Sequence, residues 1–179
     1  MKEDNLADGF NFATADDKRR LMEWVKCPKF RIGNTTERPL LIVGPMASGK
    51  TTLAMRLMEY FGEAPTPLLP QGNTVWFTNR REREFFQETE TSKIVVIDGL
   101  PLVKTKDASW MQIFAPGTLH KMRKPRSFRE IETHTVTAHL VVTALAMAKC
   151  IEKEMKDPES ERYIVVVRLA ERRGATVAG

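Results

Sequence analysis

Residues 44–51 have the sequence Gly44-Pro45-Met46-Ala47-Ser48-Gly49-Lys50-Thr51, which matches the pattern G-x-x-x-x-G-K-[ST] at every fixed position. The apolar run Leu40-Leu41-Ile42-Val43 before it predicts a buried strand, and the run from Thr52 to Phe61 after it predicts a helix. Glycines let the backbone wrap around a phosphate, and a helix N-terminus adds partial positive charge at the same point. The pattern therefore predicts a binding site for the phosphates of a nucleoside triphosphate.

Two side chains at the end of this loop are expected to contact the ligand most directly. Lys50 should reach the β- and γ-phosphates, and the Thr51 hydroxyl should hold Mg²⁺. ATP and Mg²⁺ are the expected ligands. The residues expected to bind the nucleotide are Gly44, Pro45, Met46, Ala47, Ser48, Gly49, Lys50, Thr51 and Thr52.

Length and composition indicate one globular domain with short appendages. The chain has 179 residues and a net charge of +5, which is a mild preference for polyanionic partners. We expect an N-terminal arm and short helix in residues 1–37, the nucleotide-binding domain in 38–170 and a tail in 171–179.

The same composition narrows the compartment and the partners. No apolar run approaches the roughly 20 residues of a membrane span, so no membrane partner is expected. The start of the chain, Met1-Lys2-Glu3-Asp4-Asn5, lacks the apolar core of a signal peptide. Cys27 and Cys150 are isolated, without zinc-ligand spacing. These features predict a cytoplasmic or nuclear protein that is not secreted.

Aliphatic runs alternate with helical segments along the rest of the chain. Strands are predicted at 74–77, 93–98, 139–143 and 163–169, and helices at 18–26, 80–88, 107–114 and 144–156. Residues 1–15 are expected to form a loose arm, and Gly62 to end the helix after the loop. The pattern predicts an α/β fold, a three-layer P-loop NTPase sandwich with a central, mostly parallel five-stranded sheet covered on both faces.

A second acidic motif follows the third predicted strand. Ile94-Val95-Val96-Ile97 ends in Asp98, whose carboxylate is expected at the ligand-binding edge of the sheet, beside Thr51 and the magnesium ion. Taken alone, the pattern favours an ordinary aspartate that caps a turn before Gly99, and its position downstream of the glycine loop favours the magnesium role. Many ATPases place a second acid directly after this aspartate to activate water, and Gly99 stands there in this chain.

A basic segment, Lys121 to Arg129, contains five cations and no acid in nine residues, with Pro125 at its centre. It predicts a hairpin or loop tip that contacts nucleic-acid phosphates. A solvated charge run and the lid of a small kinase are the alternatives, and Phe128 either stacks on a base or is buried. The expected nucleic-acid contacts are Lys121, Arg123, Lys124, Arg126 and Arg129.

The order of these features resembles that of the superfamily-three helicases, AAA+-like ATPases in the replication proteins of small DNA viruses such as circoviruses, parvoviruses and papillomaviruses. In this resemblance, the basic segment matches the DNA-tracking hairpin, and Leu140-Val141-Val142-Thr143 matches the sensor strand. Ser160-Glu161-Arg162 and the apolar residues after it match the terminal pattern whose arginine reaches the neighbouring subunit's ATP.

The resemblance implies ATP hydrolysis in a homo-oligomer, a hexameric ring around single-stranded nucleic acid, with DNA favoured. Its catalytic residues would be Lys50, Asp98 and Arg162, with Arg168 a second candidate for the last role. The chain departs from the family at Gly99 and at Ala144 and Leu145, where a polar sensor is usual.

Two other functions fit the same residues. A small P-loop nucleotide kinase would place the strands before the loop and before Asp98 side by side, whereas a motor-type ATPase inserts a strand between them. An ATP-binding assembly module that hydrolyses weakly is favoured by Gly99 and Ala144.

Overall fold

The computed structural model describes residues 5–26, 38–65, 86–99, 119–124, 126–127, 129–145 and 164–171. Its helices and strands are α1 (Ala15–Lys26), β1 (Leu40–Gly44), α2 (Lys50–Phe61), β2 (Ile94–Ile97), β3 (Leu119–Arg123), β4 (Ile131–Thr135), β5 (His139–Leu145) and β6 (Val165–Arg168). Residues 86–91 are also helical.

Four of the strands form one parallel sheet in the order β2-β5-β1-β6. This confirms the predicted parallel α/β sheet for the described part of the chain. The strand before the glycine loop, β1, and the strand before Asp98, β2, both pair with β5. The strand expected at 74–77 lies outside the described residues.

The strands β1 and β2 are buried along their whole length, which requires both faces of the sheet to be covered. One face packs with both described helices into a single core, which includes these residues: Leu21, Trp24 and Val25 of α1, Leu53 and Leu57 of α2, and Leu40, Ile42, Ile94, Val96, Val141 and Val167 of the strands. Strands of parallel sheets that are buried on both faces are typically continuous aliphatic runs, not alternating ones. The runs in this sequence predict such a sheet.

The N-terminal segment is not the loose arm that the sequence predicts. Leu6 is fully buried in the core, and Phe12 forms an antiparallel bridge with Leu169. The Ala13 N–H donates to the Arg168 carbonyl at 3.0 Å. Since β6 is the last strand of the described sheet, its outer edge would otherwise expose unpaired backbone groups. The N-terminal segment forms hydrogen bonds with some of the backbone groups along that edge.

A local cap fixes the start of α1 against the same edge. The Thr14 hydroxyl accepts a hydrogen bond from the Asp17 N–H at 3.1 Å and donates to the Asp17 carboxylate at 2.6 Å. The other oxygen of that carboxylate accepts the Arg168 N–H at 3.0 Å. Asp17 is therefore buried because it joins a helix start to a strand edge.

Two predicted boundaries need correction, and others are confirmed or lie outside the described residues. α1 begins at Ala15 rather than Lys18, and residues 144–145 continue β5 instead of opening a helix. Residues 144–145 stay in the strand because they pair with β1, where Val43 is opposite Ala144 and Gly44 is opposite Leu145. This pairing overrides the helix propensity of the two residues. Gly62 ends α2 with a left-handed φ of 82°, as predicted. The helix predicted at 107–114 and the rest of the helix predicted at 144–156, from residue 146 on, fall outside the described residues.

The basic segment forms the predicted hairpin. β3 and β4 make a separate antiparallel pair, from Leu119 opposite Thr135 to Arg123 opposite Ile131, and the pair lies between β2 and β5 in the chain. The Lys124 N–H donates to the Glu130 carbonyl at 3.0 Å and closes the tip.

None of the helices in the described ranges has the length and apolar character to cross a membrane.

Candidate nucleotide site and basic hairpin

The glycine loop joins the carboxyl end of β1 to the start of α2, and two of its residues have left-handed backbone conformations. Ala47 has a φ of 58° and Gly49 a φ of 94°. Gly44 is required for a different reason, since a Cβ there would lie 2.7 Å from the Ser48 hydroxyl and 2.8 Å from the Leu169 carbonyl oxygen. The close passage of the chain after β6 therefore excludes any larger residue at position 44 without displacement of the backbone.

The N-terminus of α2 has the features of an anion site. The helix starts at Lys50 after Gly49, which offers no side-chain cap, and its first turn contains no acidic residue. The partial positive charge of this helix end is therefore not neutralised by a carboxylate within that turn. Unpaired N–H groups of the first turn are donors suited to a phosphate.

The Lys50 ammonium lies across the loop. It donates to the carbonyl oxygens of Gly44 at 2.8 Å and Pro45 at 2.5 Å, and the Ser48 hydroxyl is 3.4 Å away. Partial burial lowers the pKa of Lys50, and the Asp98 carboxylate opposes that shift. Because an ammonium has three N–H donors, the loop can satisfy all of them.

Three elements bring their side chains together at Asp98, which follows β2. The Thr51 hydroxyl, at the start of α2, lies 3.0 Å from both Asp98 carboxylate oxygens. The Thr143 hydroxyl, on β5, donates to Asp98 Oδ1 at 2.5 Å and accepts the Gly99 N–H at 2.8 Å. The structure thus places Lys50, Thr51 and Asp98 in one site at the carboxyl edge of the sheet.

The oxygen donors of this site fit a magnesium ion. Mg²⁺ prefers oxygen ligands and is commonly held by one or two carboxylates together with substrate phosphates and water. Asp98 supplies a carboxylate and Thr51 a hydroxyl within hydrogen-bonding distance of each other. No group of three or more His, Cys, Asp or Glu side chains clusters in the described ranges.

Thr143 is the site residue that the sequence analysis missed. The helicase resemblance points instead to positions 144 and 145 for a polar sensor, where Ala144 is buried and Leu145 is half exposed. Because Ile97 pairs with Val142 in parallel strands, the next residues, Asp98 and Thr143, lie side by side. The available signal was that Thr143 is the single polar residue in the run Leu140-Val141-Val142-Thr143-Ala144-Leu145.

Gly99 has a conformation that explains why no acid follows Asp98. Its φ is 77°, a left-handed value that side-chain-bearing residues rarely adopt. No atom of the described residues lies within 4 Å of a Cβ built there, so the restriction comes from the backbone and not from space. This turn aims the Gly99 N–H at Thr143. A glutamate at position 99 would be strained in this backbone.

The hairpin displays four of its five predicted contact residues as exposed cations: Lys121, Lys124, Arg126 and Arg129. Lys124 forms an ion pair with Glu130, its Nζ 3.0 Å from the carboxylate. The side chain of Arg123 lies outside the described set, although its backbone belongs to β3. Phe128 and Arg162 also lie outside the described residues, and Arg168 is an exposed residue of β6.

No protein-family model matches this sequence, and no curated protein matches it. The described residues therefore define the class by themselves: an α/β domain with a parallel four-stranded sheet flanked by helices and a glycine loop at the carboxyl edge of that sheet.

Proposed function

We propose that this chain is a P-loop ATPase domain that binds Mg²⁺-ATP at residues 44–52 and couples its hydrolysis to nucleic-acid binding by the β3–β4 hairpin, in the manner of the superfamily-three helicases. The observation that carries the proposal is the contact between Thr51 and Asp98, 3.0 Å apart although they are 47 residues apart in the chain. It joins the two sequence motifs of an ATPase in one site.

The strand order supports a motor-type ATPase over a nucleotide kinase. In the kinase group, the strands that precede the loop and the acidic residue are direct neighbours. Here β5 lies between β1 and β2 and pairs with both. β5 also supplies Thr143, which contacts Asp98 from the position between the two motifs.

Each side chain of the site has a role that follows from its contacts. Thr51 and Asp98 would hold Mg²⁺, which would supply positive charge to offset that of the phosphates. Lys50 exchanges its carbonyl acceptors for phosphate oxygens and stabilises negative charge there. The Asp98 carboxylate would help to hold the ion, and the Thr143 hydroxyl fixes the direction of that carboxylate.

Hydrolysis by this site alone is expected to be slow. Gly99 occupies the position of the usual second acid in a backbone conformation that disfavours one. Under the proposal, Arg162 from a neighbouring subunit of a ring completes the site and stabilises transition-state charge. The same Gly99 observation favours a second candidate, an ATP-binding assembly module with negligible turnover.

The hairpin is the proposed nucleic-acid contact. Its exposed cations stand on a two-stranded element separate from the main sheet. Contacts from Lys and Arg to phosphates are largely independent of base sequence and weaken as salt rises. Single-stranded DNA within a homo-oligomeric ring is the proposed substrate.

The test is steady-state ATP hydrolysis with and without single-stranded DNA, together with binding of a fluorescent ATP analogue. Lys50→Ala should abolish nucleotide binding. Lys93→Ala is the matched control, since Lys93 precedes β2 at the opposite edge of the sheet and its ammonium donates to the Phe61 carbonyl at 3.3 Å.

Turnover that rises with DNA and disappears in Lys50→Ala would support the motor. Nucleotide binding without turnover under any condition would exclude it and leave the assembly module. Equal nucleotide binding by Lys50→Ala and Lys93→Ala would refute the assignment of the loop.

A further inference from the structure

The β3–β4 hairpin meets the body of the domain through a buried histidine. Of the five residues of β4, His134 alone is buried. Two-stranded hairpins are marginally stable in water and need packing against another element to hold one orientation. The contacts of His134 are therefore central to how the hairpin is oriented.

His134 contacts one face of the helical segment 86–91. Its ring stacks on Phe86 with the centroids 5.8 Å apart and the planes 12° from parallel. Its Nδ1 lies 3.0 Å from the Glu90 carboxylate, to which it donates. Phe86 and Glu90 are four residues apart and so lie on the same side of a helix. A third contact nearby is donated by the Thr137 hydroxyl to the Thr89 carbonyl at 2.6 Å.

The helical segment leads directly to the acidic residue of the nucleotide site. Residues 92 and 93 connect it to β2, which Asp98 follows. At about 3.3 Å per residue, the four steps from Ile94 to Asp98 span only about 13 Å. From the other side, β4 continues through residues 136–138 into β5, which carries Thr143 to the same carboxylate. The hairpin and Asp98 are thus connected in two ways: along the chain through β5, and through the contacts of His134 with the helical segment that leads to β2.

Both nitrogens of the imidazole face carboxylates. With Nδ1–H donated to Glu90, its Nε2 is buried without a hydrogen bond among the described residues and faces the Glu132 carboxylate at 3.4 Å. Glu132 is two residues away on β4 and on the same face of the strand. The ring therefore lies between a carboxylate on the body of the domain and a carboxylate on its own hairpin. Through these contacts His134 lies on a contiguous path of packed and hydrogen-bonded side chains between the hairpin and the segment that leads to Asp98, along which coupling can be carried.

We infer that His134 is a positioning residue that ties the basic hairpin to the strand bearing Asp98, so that nucleotide at Asp98 and nucleic acid at the hairpin alter each other's affinity. This inference rests on the proposed function, because it presupposes both ligands. It adds the residue through which the two sites communicate.

The test measures the coupling factor itself. The dissociation constant of a single-stranded oligodeoxythymidine of about 20 nucleotides is determined with and without Mg²⁺ and a non-hydrolysable ATP analogue. The ratio of the two constants should differ from unity by about fivefold or more in the wild-type chain. His134→Ala should bring the ratio close to one while each ligand, measured alone, binds within about twofold of wild type.

Two further variants keep the experiment decisive. Glu90→Gln retains an acceptor for Nδ1–H without the charge and should give an intermediate ratio even if His134→Ala does not fold. Glu88→Gln is the matched control, because this carboxylate on the same segment bonds the Ser92 hydroxyl at 3.1 Å instead of the hairpin. It should keep the wild-type ratio.

A residue with a merely structural role would lower both affinities or the stability and leave the ratio unchanged, and that result would overturn the inference. A wild-type ratio near one, with both ligands bound, would overturn the inference and leave the proposed binding functions standing. Failure of the wild-type chain to bind the nucleotide or the oligonucleotide would refute the proposed function, and the inference with it.

Discussion

Replacing Thr143 by valine is the most direct test of how the Asp98 carboxylate is held. Valine has nearly the same shape as threonine, and position 143 is 1% exposed, so the change removes little besides the hydroxyl. That hydroxyl donates to Asp98 Oδ1 at 2.5 Å and accepts the Gly99 N–H at 2.8 Å. A hydrogen bond to a charged group contributes about 1.5–3 kcal/mol to stability, so the free energy of unfolding should fall by at least that amount.

A double-mutant cycle separates the bond to Asp98 from the loss of the Gly99 partner. In an Asp98→Asn background, the bond from Thr143 is no longer charge-assisted, and such neutral bonds contribute about 0.5–1.5 kcal/mol. Replacing Thr143 leaves the Gly99 N–H without its partner in both backgrounds, so the free-energy cost of that unpaired N–H cancels in the cycle. The coupling free energy between positions 143 and 98 is therefore expected to be about 1–2 kcal/mol.

The measurement is urea unfolding of the wild-type chain, the two single variants and the double variant, without nucleotide. Thr143→Ser, which keeps the hydroxyl, is the control and should retain most of the stability. Additive effects of the two substitutions within about 0.5 kcal/mol, or a loss in Thr143→Ser equal to that in Thr143→Val, would refute the reasoning.

Four further predictions concern other parts of the molecule. Gly44→Ala should abolish nucleotide binding and lower the free energy of unfolding by about 1–3 kcal/mol because its Cβ would meet the Leu169 carbonyl, and binding of a fluorescent ATP analogue checks this. Leu6→Ala should cost about 2–5 kcal/mol in urea unfolding, since Leu6 is fully buried, whereas a loose arm would tolerate it. Burial lowers the pKa of His139, so the unfolded chain binds more protons in acid. The free energy of unfolding should therefore fall as the pH drops below about 6.5 and level off below the folded-state pKa, and His139→Phe should flatten this decline. Arg126→Ala should weaken single-stranded DNA binding and reduce the slope of log affinity against log salt by about 0.7, as titrations at several salt concentrations would reveal.

The sequence predicted those features that depend on local pattern. The glycine loop, its flanking strand and helix, the Gly62 cap and the basic hairpin each follow from residues close together in the chain. Aliphatic runs such as Ile94-Val95-Val96-Ile97 predicted strands buried on both faces, and these strands are buried. Local propensity and turn chemistry suffice for such elements because their hydrogen bonds or apolar contacts are set within a few residues.

The features that the sequence did not predict depend on pairing between distant segments. The role of Thr143 follows from the register of β5 against β2, which no single segment encodes. The helix predicted from Ala144 gives way to a strand because β1 pairs with that residue. The burial of Leu6 depends on the open edge of β6, about 160 residues later. In each case a tertiary contact overrides a local preference.

Asp98 is the point at which these long-range contacts converge, and its partners bear on what the site can do. The Thr51 hydroxyl connects Asp98 to the helix after the glycine loop, and the Thr143 hydroxyl connects it to the strand that follows the hairpin. A ligand that draws Asp98 away from Thr51 must also act on the bond to Thr143, because one carboxylate serves both. Gly99 adds to this constraint, since its left-handed backbone directs an N–H at Thr143. Under the proposed function, this arrangement would favour responsiveness to bound nucleotide over fast hydrolysis by a single subunit.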